Sequence, residues 1–242
     1  MYVNSSVEFE KLSKKEIHEK LDIYEFVGYT AIVLNFKYSP TKQYQTILQE
    51  IQEITTLNLF GKIILHPKTI KDLKKSLGSL KIPPNFLVCV QSTDKDLLTF
   101  SINDSRIDCI AFPHVSELSF LTPGIVSLLK SNKKYIEISL KDMLRNKIRD
   151  RSRLFHEMAK FLDLMSTCTN LILYGGCEET IYEIRGPHEI ASIFNAIFEV
   201  PKMKSKSMNQ SNPEQLISEL QTRGKYPHLP RGVKIVTKQN KE

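Results

Sequence analysis

The chain lacks any run approaching the roughly 18 uninterrupted apolar residues that a membrane-spanning helix requires. Its first ten residues, Met1 to Glu10, contain no basic region followed by an apolar one, so no secretory signal is expected. The four cysteines, Cys89, Cys109, Cys168 and Cys177, are too few and too scattered for a disulfide framework or for a zinc site built from close-spaced pairs. Three of them read as small buried hydrophobes and Cys177 as a loop thiol, in a reducing, cytoplasmic setting. Walker-type and Gly-X-Gly-X-X-Gly phosphate loops are missing, as are His-X-His pairs, histidines at i, i+4 and aspartate clusters. These absences remove the common sequence signatures of nucleotide-dependent and metal-dependent enzymes.

What is there is 242 residues, 41% hydrophobic and 25% charged, a composition able to bury one sizeable core. The net charge of +7 is unevenly placed. Residues 201–242 hold nine Lys or Arg against three acids, whereas residues 1–200 are close to neutral. A near-neutral body with a basic tail points to an anionic partner reached through the tail or a local patch, against the plainer reading of a solvated lysine-rich surface.

Short, almost continuous apolar runs begin at Ala31, Ile63, Phe86, Cys109, Tyr135 and Leu171. Runs without polar alternation are the pattern of strands buried on both faces, as in a parallel sheet. Helix-period stripes fill several gaps: Tyr44, Ile47, Ile51 and Ile54; Ile70, Leu73 and Leu77, with Gly78 placed as a C-terminal glycine; Thr122-Pro123 ahead of Val126 and Leu129; Leu154, Met158, Phe161, Leu162 and Met165; and, after Pro187, Ile190, Ile193, Phe194 and Ile197. With Tyr2-Val3 as one more strand, about seven β-α units at this spacing favour an α/β, TIM-barrel-like fold, irregular because no eighth strand is evident. The barrel-like domain is expected over residues 1–200. Residues 201–242 read as a basic C-terminal extension, with Lys202 to Ser211 a flexible linker and Asn212-Pro213 opening a short helix through Leu216, Ile217 and Leu220 that ends at Arg223-Gly224.

In such barrels the working residues stand at the C-terminal ends of strands. Here those ends offer Asn35, His66, His114, Glu137, Arg185 and Gly175-Gly176. Convergence of His66, His114 and Glu137 would give a hydrolytic metal its ligands, yet isolated strand-end histidines are more often plain hydrogen-bonding residues. The glycine pair could cradle a phosphate, but a tight turn explains it more simply. Neither catalytic residues nor a metal site are expected. The segment Lys141 to Arg153 is more informative: Lys141, Arg145, Lys147, Arg149, Arg151 and Arg153 face only Asp142 and Asp150, and arginine's planar fork suits phosphate or carboxylate. It is the candidate contact for RNA or an acidic partner.

The order of local features resembles the ribonuclease P protein component 3 family of archaea and eukaryotes. The residues that carry the resemblance are Ile107-Asp108-Cys109-Ile110-Ala111-Phe112-Pro113, Tyr135-Ile136-Glu137-Ile138-Ser139-Leu140, the long helix after Arg151-Ser152-Arg153, Leu171-Ile172-Leu173-Tyr174-Gly175-Gly176 and Ile184-Arg185-Gly186-Pro187. The first half agrees only in its β-α rhythm and in Gly28-Tyr29. Gly186 stands where the family usually has serine, and Tyr2-Val3-Asn4-Ser5 replaces an Asp-Leu-Asn-like strand.

The resemblance implies a barrel related to metal-dependent phosphoesterases but without their ligands, acting as a protein subunit of an RNA-based endoribonuclease. There the RNA, with magnesium, removes the 5′ leader of precursor tRNA. It implies as partners the ribonuclease P RNA, protein component 2 and other protein subunits, with no membrane. Glu137 and Arg185 match family positions and are expected to hold the barrel mouth by hydrogen bonding. The competing readings are a metal-dependent phosphoesterase-like hydrolase and a scaffold whose tail recruits an acidic protein.

Overall fold

The computed structural model describes residues 1–145 and 148–225, with the side chains of 148, 149 and 225 outside the description. Seven strands alternate with helices: β1 (Val3–Val7), α1 (Lys14–Phe26), β2 (Ala31–Lys37), α2 (Tyr44–Gln52), β3 (Asn58–Leu65), α3 (Ile70–Ser79), β4 (Phe86–Val90), α4 (Lys95–Asn103), β5 (Cys109–Phe112), α5 (Pro123–Asn132), β6 (Tyr135–Ile138), α6 (Lys141–Arg145), α7 (Ile148–Leu164), β7 (Ile172–Tyr174), α8 (Pro187–Phe198), α9 (Lys202–Ser207) and α10 (Ser211–Lys225). The strands lie in chain order β1 to β7 and every pairing is parallel. All seven expected strand runs are strands. No helix among the described residues is long and apolar enough to cross a membrane.

Local chemistry sets several element ends. Ser13 caps α1 and its Glu16 reaches back to the Ser13 amide, satisfying two amides that a helix start leaves open. Thr122 caps α5 with Pro123 in the first turn, as the sequence indicates. Strand alternation then sorts the side chains. Val3, Ala31, Val33, Phe60, Ile64, Leu87, Cys89, Cys109, Ala111, Tyr135 and Leu173 form the core inside the sheet, and the larger apolar set fills the layer between sheet and helices.

No backbone ladder joins β7 to β1 among the described residues. The gap is closed by the segment read from sequence as a flexible linker, which is the main correction to that reading. Lys202–Ser207 is helical, and Met208 and Asn209 are fully buried. The Tyr174 amide donates to the Met208 carbonyl at 3.0 Å and the Val3 amide to the Asn209 carbonyl at 2.8 Å, so two residues after α9 bond both edge strands. Further along the seam, the Cys177 amide donates to the Ser6 carbonyl at 2.9 Å. A polar, lysine-rich run hid this role because backbone groups carry it.

Helix α10 then covers the N-terminal end of the barrel. Leu216, Ile217 and Leu220 join the interior core, Asn212 Nδ2 donates to the Thr169 and Ile172 carbonyls, and Arg223 pairs with Asp108 at 2.7 Å. The expected helix through these apolar residues is thus present, and it runs to Lys225.

Gly78 also departs from expectation. It does not end α3, which continues through Ser79 to a cap at Leu80. A Cβ at Gly78 would meet nothing within 4 Å, so no neighbour in the fold requires glycine there. Gly78→Ala should therefore raise stability by up to about 1 kcal/mol through helix propensity, read as a higher urea midpoint with an unchanged slope.

Candidate functional site

Strand β3 reads Asn58-Leu-Phe-Gly-Lys-Ile-Ile-Leu65, an apolar run broken by one lysine, and β6 is an apolar run broken by Glu137. Alternation points both inward. Lys62 is fully buried, and its Nζ donates to Glu137 Oε1 at 2.7 Å, to Glu137 Oε2 at 2.6 Å and to the Ser5 carbonyl at 2.7 Å. All three ammonium protons have acceptors. The Ser5 hydroxyl lies 2.9 Å from Glu137 Oε2 and 2.7 Å from the Tyr174 carbonyl, two acceptors for its single proton. One network thereby joins β1, β3, β6 and β7. Burial alone would push the Lys62 ammonium down, but the Glu137 carboxylate more than offsets it and holds the pKa above the ordinary lysine range.

The glycines after β7 make room for this network. A Cβ on Gly175 would stand 2.6 Å from Ser6 Cβ and 2.8 Å from Glu137 Cδ, and one on Gly176 would run into the carboxylate of the neighbouring Glu178. The Gly176 amide donates to Asn4 Oδ1 at 2.8 Å. That amide is turned into the seam. Cys177, expected as a loop thiol, is in a loop but buried, and burial pushes its pKa up to about 12.

A second buried cluster lies where α1 meets the seam. Lys20 Nζ donates to the carbonyls of Glu8 and Glu178 at 2.9 and 2.7 Å, and the Tyr24 hydroxyl donates to Glu178 Oε2 at 2.5 Å. Burial raises the Glu178 pKa and lowers that of Lys20. Sequence reasoning missed Lys62, Ser5, Asn4, Lys20, Tyr24 and Glu178. The legible signal was the lone Lys62 inside an apolar strand, which demands an acid within reach.

The metal trio is not assembled. Glu137 is committed to Lys62, His114 Nδ1 faces Asp142 at 3.1 Å and is half-exposed, and His66 is exposed at the end of β3. Partial burial of the ring and the Lys37 charge lower the His66 pKa. Among the described residues no group of three His, Cys, Asp or Glu could hold a metal ion. Of the two residues expected to hold the barrel mouth, Glu137 is bonded inside the barrel to Lys62 and Ser5, and Arg185 Nη1 donates to the Tyr182 and Ile184 carbonyls, both at 2.9 Å.

The arginine-rich segment is partly engaged. Lys141 Nζ lies 2.6 Å from Glu179, and Arg145 pairs with Glu179 at 2.9 Å and Glu183 at 2.5 Å. The hydrogen bonds from Lys141 and Arg145 hold the Glu179 carboxyl down to about 2. Arg151 Nη2 donates to the Leu144 carbonyl at 3.1 Å, and Arg153 is exposed. Lys147 and the Arg149 side chain lie outside the described residues.

The fold and its packed axis define an irregular, seven-stranded TIM-type barrel tied through its centre by an ion pair. The chain belongs to the RNase P subunit p30 family, whose model matches residues 1–225. It is similar over 99% of its length to the whole of a chain in the cryo-EM structure of archaeal ribonuclease P with mature tRNA, with a TM-score of 0.78 at 13% identity. It is also similar to the phosphotriesterase homology protein of Escherichia coli, crystallised with phosphate in its active site, with a TM-score of 0.55 at 8% identity and coverage of 89% of this chain and 98% of that one. A probable 2-pyrone-4,6-dicarboxylic acid hydrolase of Acinetobacter baumannii gives a TM-score of 0.53 at 12% identity, covering 90% and 99%. At these identities the likenesses show the barrel fold alone. No match to a curated relative was found at the sequence level.

Two outcomes test this geometry. Lys62→Met and Glu137→Leu should each cost about 3–5 kcal/mol, since each leaves a buried charge without its partner, whereas the two together should cost less than either alone. A denaturant double-mutant cycle checks it. Glu178 binds its proton more tightly folded than unfolded, so its contribution to stability is full below the ordinary value near 4.5 and is lost as pH rises through the raised folded value. Glu178→Gln should therefore gain stability relative to wild type as pH rises across that window, measured by urea midpoints.

Proposed function

We propose that the chain is a protein subunit of ribonuclease P that supports the catalytic RNA in removing the 5′ leader from precursor tRNA, and contributes no catalytic group of its own. The observation that carries this reading is family membership along residues 1–225. The committed Glu137 carboxylate supports it, because the axial acid that a hydrolase would use is bound to Lys62. Magnesium acts through the RNA. The partners are the ribonuclease P RNA, protein component 2 and other protein subunits, in the cytoplasm. Within the Lys141 to Arg153 segment, Glu179 and Glu183 compete for Lys141 and Arg145, so contact with RNA or partner protein falls mainly to its arginine-rich second half.

Affinity purification of the tagged chain from native cells at moderate salt, followed by sequencing of the bound RNA, tests the reading. One abundant structured RNA, with leader-cleaving activity on precursor tRNA in the eluate, is expected. Absence of any enriched RNA down a low-salt series would overturn it.

A further inference from the structure

Residues 68–81 carry Lys68, Lys71, Lys74, Lys75 and Lys81 against a single acid, Asp72. The resulting +4 equals that of the arginine-rich segment, but the surroundings differ. All five lysines are exposed, and among the described residues none makes an ion pair, whereas Lys141 and Arg145 are held by Glu179 and Glu183. Lys71, Lys74, Lys75 and Gly78 fall at i, i+3, i+4 and i+7 and form one stripe along α3, while Leu73 and Leu77 anchor the opposite face in the core. Gly78 leaves that stripe bare at its C-terminal end, where the fold itself needs no glycine.

Beside this end lies a cleft of about 470 Å³ between the β2–α2 loop and the segment after α3, lined in part by Tyr38, Ser39, Thr41, Thr46, Ser79 and Lys81. Five of these six carry hydroxyls, with Tyr38 paired to Ser79 at 2.6 Å and Ser39 to Thr41 at 3.3 Å, leaving their remaining lone pairs and protons for a ligand in the cleft. We propose that the α3 lysine stripe and the hydroxyl-lined cleft dock a phosphodiester backbone of RNA. Lysine is depleted from protein–protein interfaces, whose strong contacts are aromatic or arginine, and is a common phosphate partner. Ten helical residues extend roughly 15 Å, the axial length of about four nucleotides. A bare glycine lets a backbone approach the helix closely. The contact reads charge and sugar hydroxyls, not base identity.

This proposal rests on the ribonuclease P reading, and its test separates the two. The full-length chain is titrated with the ribonuclease P RNA of its own organism across a salt series, as wild type, as Lys71→Gln/Lys74→Gln/Lys75→Gln, and as Lys11→Gln/Lys14→Gln/Lys15→Gln, which removes the same charge from exposed positions around the start of α1. The α3 variant should bind more than about tenfold more weakly, with a log–log salt slope shallower by about 2 to 3, as three phosphate contacts at about −0.7 to −0.9 each require. The α1 variant should stay within about twofold of wild type. Equal weakening by both variants, or wild-type binding by the α3 variant, overturns the proposal and leaves the ribonuclease P reading standing. Lysine-dependent capture of an acidic protein with unchanged RNA affinity overturns it in favour of a protein contact. Wild type that binds no RNA overturns the docking proposal, while the ribonuclease P reading is decided separately by the affinity purification from native cells.

Discussion

A lysine ammonium buried on the barrel axis carries the heaviest constraint in this chain. Taking Lys62 and Glu137 out of water costs several kcal/mol per ion, and only a complete set of acceptors makes that tolerable. The set is complete: both Glu137 oxygens and the Ser5 carbonyl surround the ammonium, and the Ser5 hydroxyl extends the network to the Tyr174 carbonyl. Because the acceptors come from different strands, the pair fixes the position of β1 relative to β3, β6 and β7.

The seam follows from the same constraint. Seven parallel strands leave one gap, and the chain closes it with backbone from beyond residue 200: Met208 and Asn209 bond β7 and β1, and α10 seals the end below. This changes the electrostatic picture of the C-terminal region. Arg223 is paired with Asp108, Lys204 Nζ donates to the Ser166 carbonyl, and Lys206 stands 5.7 Å over the Tyr2 ring. Basic residues that composition assigns to a free arm are thus partly structural. On α3, by contrast, the exposed lysines make no ion pair among the described residues, and Lys74 alone lies over a ring, 5.2 Å from Phe100.

The strands were legible because burial on both faces writes uninterrupted apolar runs, and the helices at Pro123 and Pro187 because proline in a first turn is a local signal. Ile54 misled, since its helix stops at Gln52 and leaves it partly exposed. Gly78 misled because a glycine after an apolar stripe looks like a stop when the helix runs on. The α9 seam was illegible: a polar segment whose backbone fills a missing ladder has no side-chain periodicity. Glu137 was visible as an odd acid in a strand, but its partner was not, because pairing across 75 residues depends on barrel closure. The family resemblance, carried by Ile107 to Arg185 in order, reached further than any single residue did.

The proposed function has this barrel, held by its interior charges, leave cleavage to RNA. Leader removal from precursor tRNA by a holoenzyme reconstituted with the His66→Ala/His114→Ala chain tests it most directly. The account predicts the wild-type single-turnover rate, since both rings lie outside the ion-pair network. A loss of about a hundredfold or more, with subunit assembly intact, would place reacting groups on the protein and contradict it.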